Sequence, residues 1–315
     1  MTGRPDKPAR GPRSPIWWFG GKGRMLAKLL PMLPPHEHYV EPFGGGASVL
    51  MGKPPCGGVE TYNDLDGGLV NLFRVLADPE HFARFHRRVE ALPYSRQLYR
   101  EMRDACLAAE SADAVEWVEW AVAFFYVARQ SFSGMFGASW SSAVTHACRG
   151  VAETCSTWMS AIAALPAIHR RLASVQIEQG DGLGVLERYD GPGYLAYCDP
   201  PYAPETRRDG EYRQEMSAED HERLCARLLA YRGAVVLSGY GTARYDPLDA
   251  AGWDRRVFET SCCAVGRTRA TGILGAGAAM AAQRRVEVVW RNPEAMRRIE
   301  AADRPGGPLF AEGDG

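Results

Sequence analysis

The residues best equipped for chemistry stand together at Asp199-Pro200-Pro201-Tyr202, directly after the apolar run GYLAYC. Proline lacks an N–H and has a fixed φ, so this run makes a stiff turn whose carbonyl oxygens stay available to accept hydrogen bonds from outside. An acid oxygen beside such a carbonyl offers two acceptors to one amino group. The Tyr202 ring offers a face on which a planar ring can stack. The ligand that suits this set is a planar, aminated base. A strand-ending turn without a ligand is the competing reading, because Asp-Pro and Pro-Pro are common turn signals.

Four further segments carry related groups. Tyr39-Val40-Glu41-Pro42-Phe43-Gly44-Gly45-Gly46 sets a glycine turn between a strand-like run and the helical stretch ASVLMG. Glycines there let a ligand approach the backbone closely. Their spacing is not G-x-G-x-x-G, so the dinucleotide fingerprint is absent. Glu41 beside the turn suits a cationic or amino-bearing ligand better than a pyrophosphate. Asp64 ends the next strand-like run, GVETYN; it either takes a ribose hydroxyl pair or caps the helix that begins near Asp66. Trp17-Trp18-Phe19-Gly20-Gly21-Lys22 places aromatics and a lysine near the N-terminus, with Trp17 read as the anchor that ties the terminus to the core. Asp181, in Gln179-Gly180-Asp181, follows another strand and is either a site residue or part of a simple turn.

Groups so far apart in sequence need a sheet to bring them together. The runs HYVEPF, GVETYN, SVQIEQGD, GYLAYCDPPY, GAVVLSGY, WDRRVFET and RRVEVVW alternate with helical stretches, the pattern of an α/β fold with a parallel sheet. Ligands of open α/β sheets bind at the carboxyl ends of the strands, and all four acidic segments fall there. From about 79 to 169 the pattern is helical instead, with helices expected near 94–109, 112–130 and 153–172. SFSGMFGASWSSAVTHACRG reads as a loop or hairpin between the last two. The chain thus divides into an N-terminal arm (1–15), a sheet domain (16–78 and 170–299), a helical insertion (79–169) and a polar tail (300–315). ATGILGAGAAMAA reads as a mobile excursion between the last two strands.

The chain has 315 residues, 46% hydrophobic and 24% charged, with a formal net charge of -1. That is ordinary globular composition and excludes fibrous, coiled-coil and wholly disordered classes. The most apolar stretch, AVEWVEWAVAFFYVA, carries Glu116 and Glu119 and is too short to cross a bilayer. The first 15 residues are basic and Pro-rich, without the apolar stretch of a signal peptide, so a soluble, cytoplasmic protein is expected. Eight cysteines without a C-x-x-C pair, and no histidine at a complementary spacing, point to reduced thiols and no metal site.

Together WWFGGK, YVEPFGGG, YNDLDGGLVNLF and YCDPPYAP, in that order, resemble the D12-class DNA adenine-N6 methyltransferases, the group that contains the Dam enzymes. The resemblance spans roughly residues 17–290. It implies a Rossmann-like methyltransferase sheet with an inserted helical target-recognition domain, S-adenosylmethionine as cofactor, and double-stranded DNA as partner of a monomer or weak dimer. Carried over residue by residue, Trp18 and Lys22 would contact the cofactor, and Glu41, Phe43, Gly44, Gly45 and Gly46 would cradle its methionine part. Asp64 would hold the ribose hydroxyls and Asp181 would lie near the cofactor adenine. Asp199, Pro200, Pro201 and Tyr202 would hold the flipped target adenine, with Asp199 also beside the cofactor.

In the same resemblance, Arg129, Ser131, Ser133 and Met135 belong to the run that leads into a DNA-reading hairpin. Ser131 and Ser133 replace the aromatic and asparagine of the Dam version, so the Dam target sequence is not carried over. Arg207, Arg208, Arg267 and Arg269 suit phosphates or are ordinary solvated arginines. Rival readings are methylation of cytosine N4, RNA adenine or a glutamine amide, and a non-catalytic DNA-binding regulator. The near-zero net charge does not exclude DNA, since affinity follows charge along the contact surface; it predicts weak non-specific binding with marked salt sensitivity.

Overall fold

The computed structural model describes residues 11–110, 116–203, 215–261 and 284–304. Its strands are β1 (His38–Glu41), β2 (Glu60–Asp64), the short hairpin pair β3 (Ala147–Cys148) and β4 (Val151–Ala152), then β5 (Val175–Gln179), β6 (Tyr194–Cys198), β7 (Ala234–Tyr240), β8 (Asp254–Ser261) and β9 (Arg284–Arg291). Seven of them form one sheet in the order β5-β2-β1-β6-β7-β9-β8. Pairings from β5 through β7 are parallel, and β9 runs antiparallel between β7 and β8.

The inner parallel strands β1, β2, β6 and β7 are short runs buried almost throughout, which fits strands covered on both faces, and the edge strand β5 is more open. Alternate residues serve opposite cores. Tyr39, Tyr197 and Val236 enter the larger cluster, while Val40, Ala196, Cys198, Val235 and Leu237 enter the smaller one. The chain builds β1, β2 and β5 outward on one side, then crosses to β6 and β7 on the other. Strand order therefore reverses between β1 and β6, the switch point where such Rossmann-like sheets leave a crevice.

The helices on and around the sheet are α1 (Leu26–Leu29), α2 (Ser48–Gly52), α3 (Gly67–Ala77), α4 (Pro79–Glu90), α5 (Arg96–Glu110), α6 (Trp117–Gln130), α7 (Glu153–Leu172), α8 (Gly182–Arg188), α9 (Ala218–Leu229), α10 (Asp246–Ala250) and α11 (Pro293–Ala302). Local chemistry starts several of them: Asp66 accepts from Gly68 N and Leu69 N ahead of α3, and a reciprocal Ser217–Asp220 capping box opens α9. The helical block shares its core with the sheet, because Phe124, Phe125 and Trp158 belong to the same apolar cluster as Tyr39, Tyr62 and Phe73. The apolar face of α6 is buried there, and no described helix is long and apolar enough to cross a membrane.

Two elements were not separated in the sequence. α4 begins with Asp78 as N-cap and Pro79 in its first turn, immediately after α3 ends. α11 begins in the same way, with Asn292 as N-cap accepting from Ala295 N and Pro293 in the first turn, and runs to Ala302. Asn292 also ties α11 to the sheet by accepting from Val235 N and donating to Gly233 O. The stretch ATGILGAGAAMAA lies outside the described residues, as do Arg207, Arg208, Arg267 and Arg269.

Candidate active site

The glycine turn leaves β1 at the switch point and is fastened from two sides. Glu41 is buried, and its Oε1 accepts from Tyr39 Oη at 2.6 Å and from Leu50 N at 2.7 Å, which locks α2 onto the strand end. Asp64, at the end of β2, accepts from Gly45 N through Oδ2 and from Asp66 N through Oδ1, both at 2.8 Å. Gly45 needs glycine: its φ is +47°, and a Cβ there would lie 3.1 Å from the Trp18 ring. The cap of α3 is Asp66, which leaves Asp64 to the loop and the cavity. Asn63 ties the neighbouring strand ends together, donating to Pro42 O and Gly180 O.

The opposite wall is the end of β6. Lys22 reaches across from the N-terminal segment and is buried, with Nζ donating to Asp199 Oδ1 at 2.5 Å, Tyr202 Oη at 3.0 Å and Gly20 O at 3.1 Å. Ser238 on β7 donates to the same Asp199 oxygen at 3.0 Å and exchanges a hydrogen bond with Tyr197. Both contacts use Oδ1; among the described residues none engages Oδ2. Tyr202 donates to both oxygens of Glu287 at 3.1 Å. Its ring is buried against Tyr240, 4.0 Å between centroids, so the open stacking face expected for Tyr202 is covered on that side.

Between these walls lies a cavity of about 350 Å³, within the size range of small-molecule sites. Its lining includes Trp18, Lys22, Phe43, the three glycines, Asp64, Asp181, Asp199, Pro200 and Pro201. Burial holds the Glu41 carboxyl up at about 7 and Asp64 at about 6, both partly offset by the hydrogen bonds they accept. Burial alone would lower the Lys22 pKa, but Asp199, Tyr202 and Glu287 around it hold it well above the ordinary lysine value. Glu41, Asp64, Asp181 and Asp199 against Lys22 and Arg223 make a lining unsuited to a pyrophosphate and suited to a cationic nucleoside. No group of His, Cys, Asp and Glu among the described residues could hold a metal ion.

The family model of the D12 class N6 adenine-specific DNA methyltransferases matches residues 18–242, which holds every wall of the cavity from Trp18 to Ser238. The chain belongs to that family. It is an adenine-specific DNA methyltransferase, an enzyme that needs a methyl donor and a DNA substrate. No curated protein matches the chain.

The structure gathers Trp18, Lys22, Glu41, Phe43, Gly44, Gly45, Gly46, Asp64, Asp181, Asp199, Pro200 and Pro201 around one cavity. Asp181 also caps α8 by accepting from Leu183 N. Trp18 lies against Phe124 and Phe136, at 5.9 and 6.0 Å between centroids. The N-terminal anchor is Ile16, which is buried; Trp17 is 39% exposed with the Arg129 guanidinium over its ring.

Among the DNA candidates, Met135 is exposed on the loop after α6, and Ser133 takes a left-handed turn at φ +60°. Ser131 is buried instead: it donates to Val127 O, accepts from Gly137 N, and shares a hydrogen bond with Tyr99, which fastens the loop from within. Arg129 is held between the Trp17 ring and Thr157 O. Tyr197, Ser238 and Glu287 were not singled out in the sequence. Their role arises from strand pairing, and a serine in VVLSGY or a glutamate in RRVEVVW carries no local signal for it.

Proposed function

We propose that this enzyme takes its methyl group from S-adenosylmethionine and places it on N6 of an adenine swung out of a DNA duplex into the crevice between β1 and β6. The observation that carries the reading is Asp199: one oxygen is held by Lys22 and Ser238, and the residue lines the cavity together with Pro200 and Pro201. S-adenosylmethionine, when bound, supplies an electrophilic methyl on a sulfonium. Its nucleoside part suits Asp64 and Asp181, and its cationic part suits the glycine turn beside Glu41.

The protein's own task is to make a poor nucleophile react. The N6 lone pair of adenine is delocalised into the ring. Asp199 Oδ2 and a prolyl carbonyl would accept the two N6 hydrogens, which localises the lone pair and aims it. The same carboxylate stands ready for the proton that N6 sheds. Lys22 and Ser238 hold that acceptor still, so little reorganisation is required at the moment of reaction. Extracting the base from the stack costs a few kcal/mol. We assign target recognition to the helical block and to the loop that presents Met135.

Asp199→Ala tests the assignment. Methyl transfer to DNA should vanish while binding of S-adenosylmethionine, measured by calorimetry, stays within an order of magnitude of wild type. Unchanged turnover would remove Asp199 from the reaction.

A further inference from the structure

Glu287 sits on β9, beyond the end of the region that the family model matches, and it is only 4% exposed. Its neighbours Val288, Val289 and Trp290 are core residues, so the carboxylate sits next to an apolar stretch of the strand. A buried carboxylate is costly, and an apolar side chain of similar size would fill the place without that cost. What the carboxylate obtains there is specific. Lys22 Nζ lies 3.3 Å from Oε1, and Tyr202 Oη donates to both oxygens. In the β7–β9 register Glu287 stands directly opposite Tyr240, the residue on which the Tyr202 ring is stacked. One cross-strand pair therefore holds both the ring and the hydroxyl of Tyr202.

Lys22 completes the frame, because its ammonium touches the first residue of the Asp199–Tyr202 run and the last. Without Glu287, the Tyr202 hydroxyl loses the carboxylate that accepts from it, and Lys22 loses one of its two carboxylate partners. Glu287 does not line the cavity, so it has no direct contact to offer a ligand there. We propose that Glu287 is a positioning residue for the methyl-transfer site, a brace that acts through Lys22 and Tyr202 to set the distance between the Asp199 acceptor and the prolyl carbonyls. This rests on the reading of Asp199–Tyr202 as the base-holding run. The burial of Glu287 and the charge of Asp199, which raise its pKa against the pull of Lys22, agree with a group kept for its partners.

The test uses the full chain with Glu287→Ala, the near-isosteric Glu287→Gln, Tyr202→Phe, and the Glu287→Ala/Tyr202→Phe double variant. Steady-state methylation, S-adenosylmethionine calorimetry and thermal unfolding are measured on each. The brace predicts that Glu287→Ala lowers kcat on DNA by about tenfold or more, with cofactor affinity within about twofold of wild type. Glu287→Gln, which still accepts from Tyr202, recovers part of that loss. The double variant should be no worse than the more impaired single variant, in kcat and in melting temperature alike, because both changes break one unit. Wild-type kcat in Glu287→Ala, or additive losses in the double variant, would overturn the brace. If the wild type transferred no methyl to DNA, the methyltransferase reading would fall, and the unfolding data would still decide whether Glu287 and Tyr202 are coupled.

Discussion

Replacing Glu41 with glutamine should stabilise the protein at pH 8 and change it little at pH 5. Both hydrogen bonds that Glu41 accepts, from Tyr39 Oη and Leu50 N, end on the same oxygen, so a glutamine carbonyl can receive them both. What is lost is the buried charge. Glu41 titrates at about 7 in the folded chain against an ordinary value of 4.5. A folded-state pKa above the unfolded one means that the folded chain retains a proton the unfolded chain has released. Stability therefore falls as pH rises from about 4.5 to about 7 and is level above that. At 1.36 kcal/mol per pKa unit the loss is about 3 kcal/mol at pH 8 and less than about 1 kcal/mol at pH 5. For a chain of this length, Glu41→Gln should raise the melting temperature by about 5 °C at pH 8.

Calorimetric or fluorimetric melting across pH 5 to 8 reads this directly. A variant that melts lower than wild type at pH 8, or that keeps the wild-type slope against pH, would refute the reasoning. The ionised form has a use that the glutamine cannot replace: it complements a cationic ligand. The stabilised variant should bind S-adenosylmethionine more weakly at pH 8 than wild type does.

Other consequences are as concrete. Cofactor affinity of the wild type should rise between pH 5 and pH 8, because Glu41 at about 7 and Asp64 at about 6 must ionise to favour a cation; calorimetry over that range should show proton release on binding. Gly45→Ala places a Cβ in a left-handed conformation and against Trp18, at a cost of about 1–2 kcal/mol, and should weaken cofactor binding in the same titration. Ser131→Ala leaves Gly137 N without its acceptor and the Tyr99 hydroxyl with Ala138 O alone, which should cost about 1–3 kcal/mol in denaturant unfolding and lower DNA affinity without changing cofactor affinity.

The strand ends were legible because each carries an acid or a glycine turn directly after an apolar run. That is how Glu41, Asp64, Asp181 and Asp199 could be placed on one sheet edge before any contact was visible. Asp64 shows where the pattern stops: capping and ligand roles look alike in NDLDGG, and only the bonds that Asp66 accepts from Gly68 N and Leu69 N assign the cap to the second acid. Glu287 was out of reach for a different reason. Its partners come from antiparallel register and from an N-terminal lysine far away in sequence, and no spacing rule links RRVEVVW to FGGK. Burial likewise decided Ser131, whose hydroxyl is spent inside the loop, and the Tyr202 ring, one face of which is taken by Tyr240.

The most direct test of the central claim is nucleoside mass spectrometry of DNA incubated with S-adenosylmethionine and either the wild-type enzyme or Asp199→Ala. The site described here predicts N6-methyladenine from the wild type, none from the variant, and no N4-methylcytosine from either. Methylated cytosine, or N6-methyladenine formed at the wild-type rate by Asp199→Ala, would contradict it.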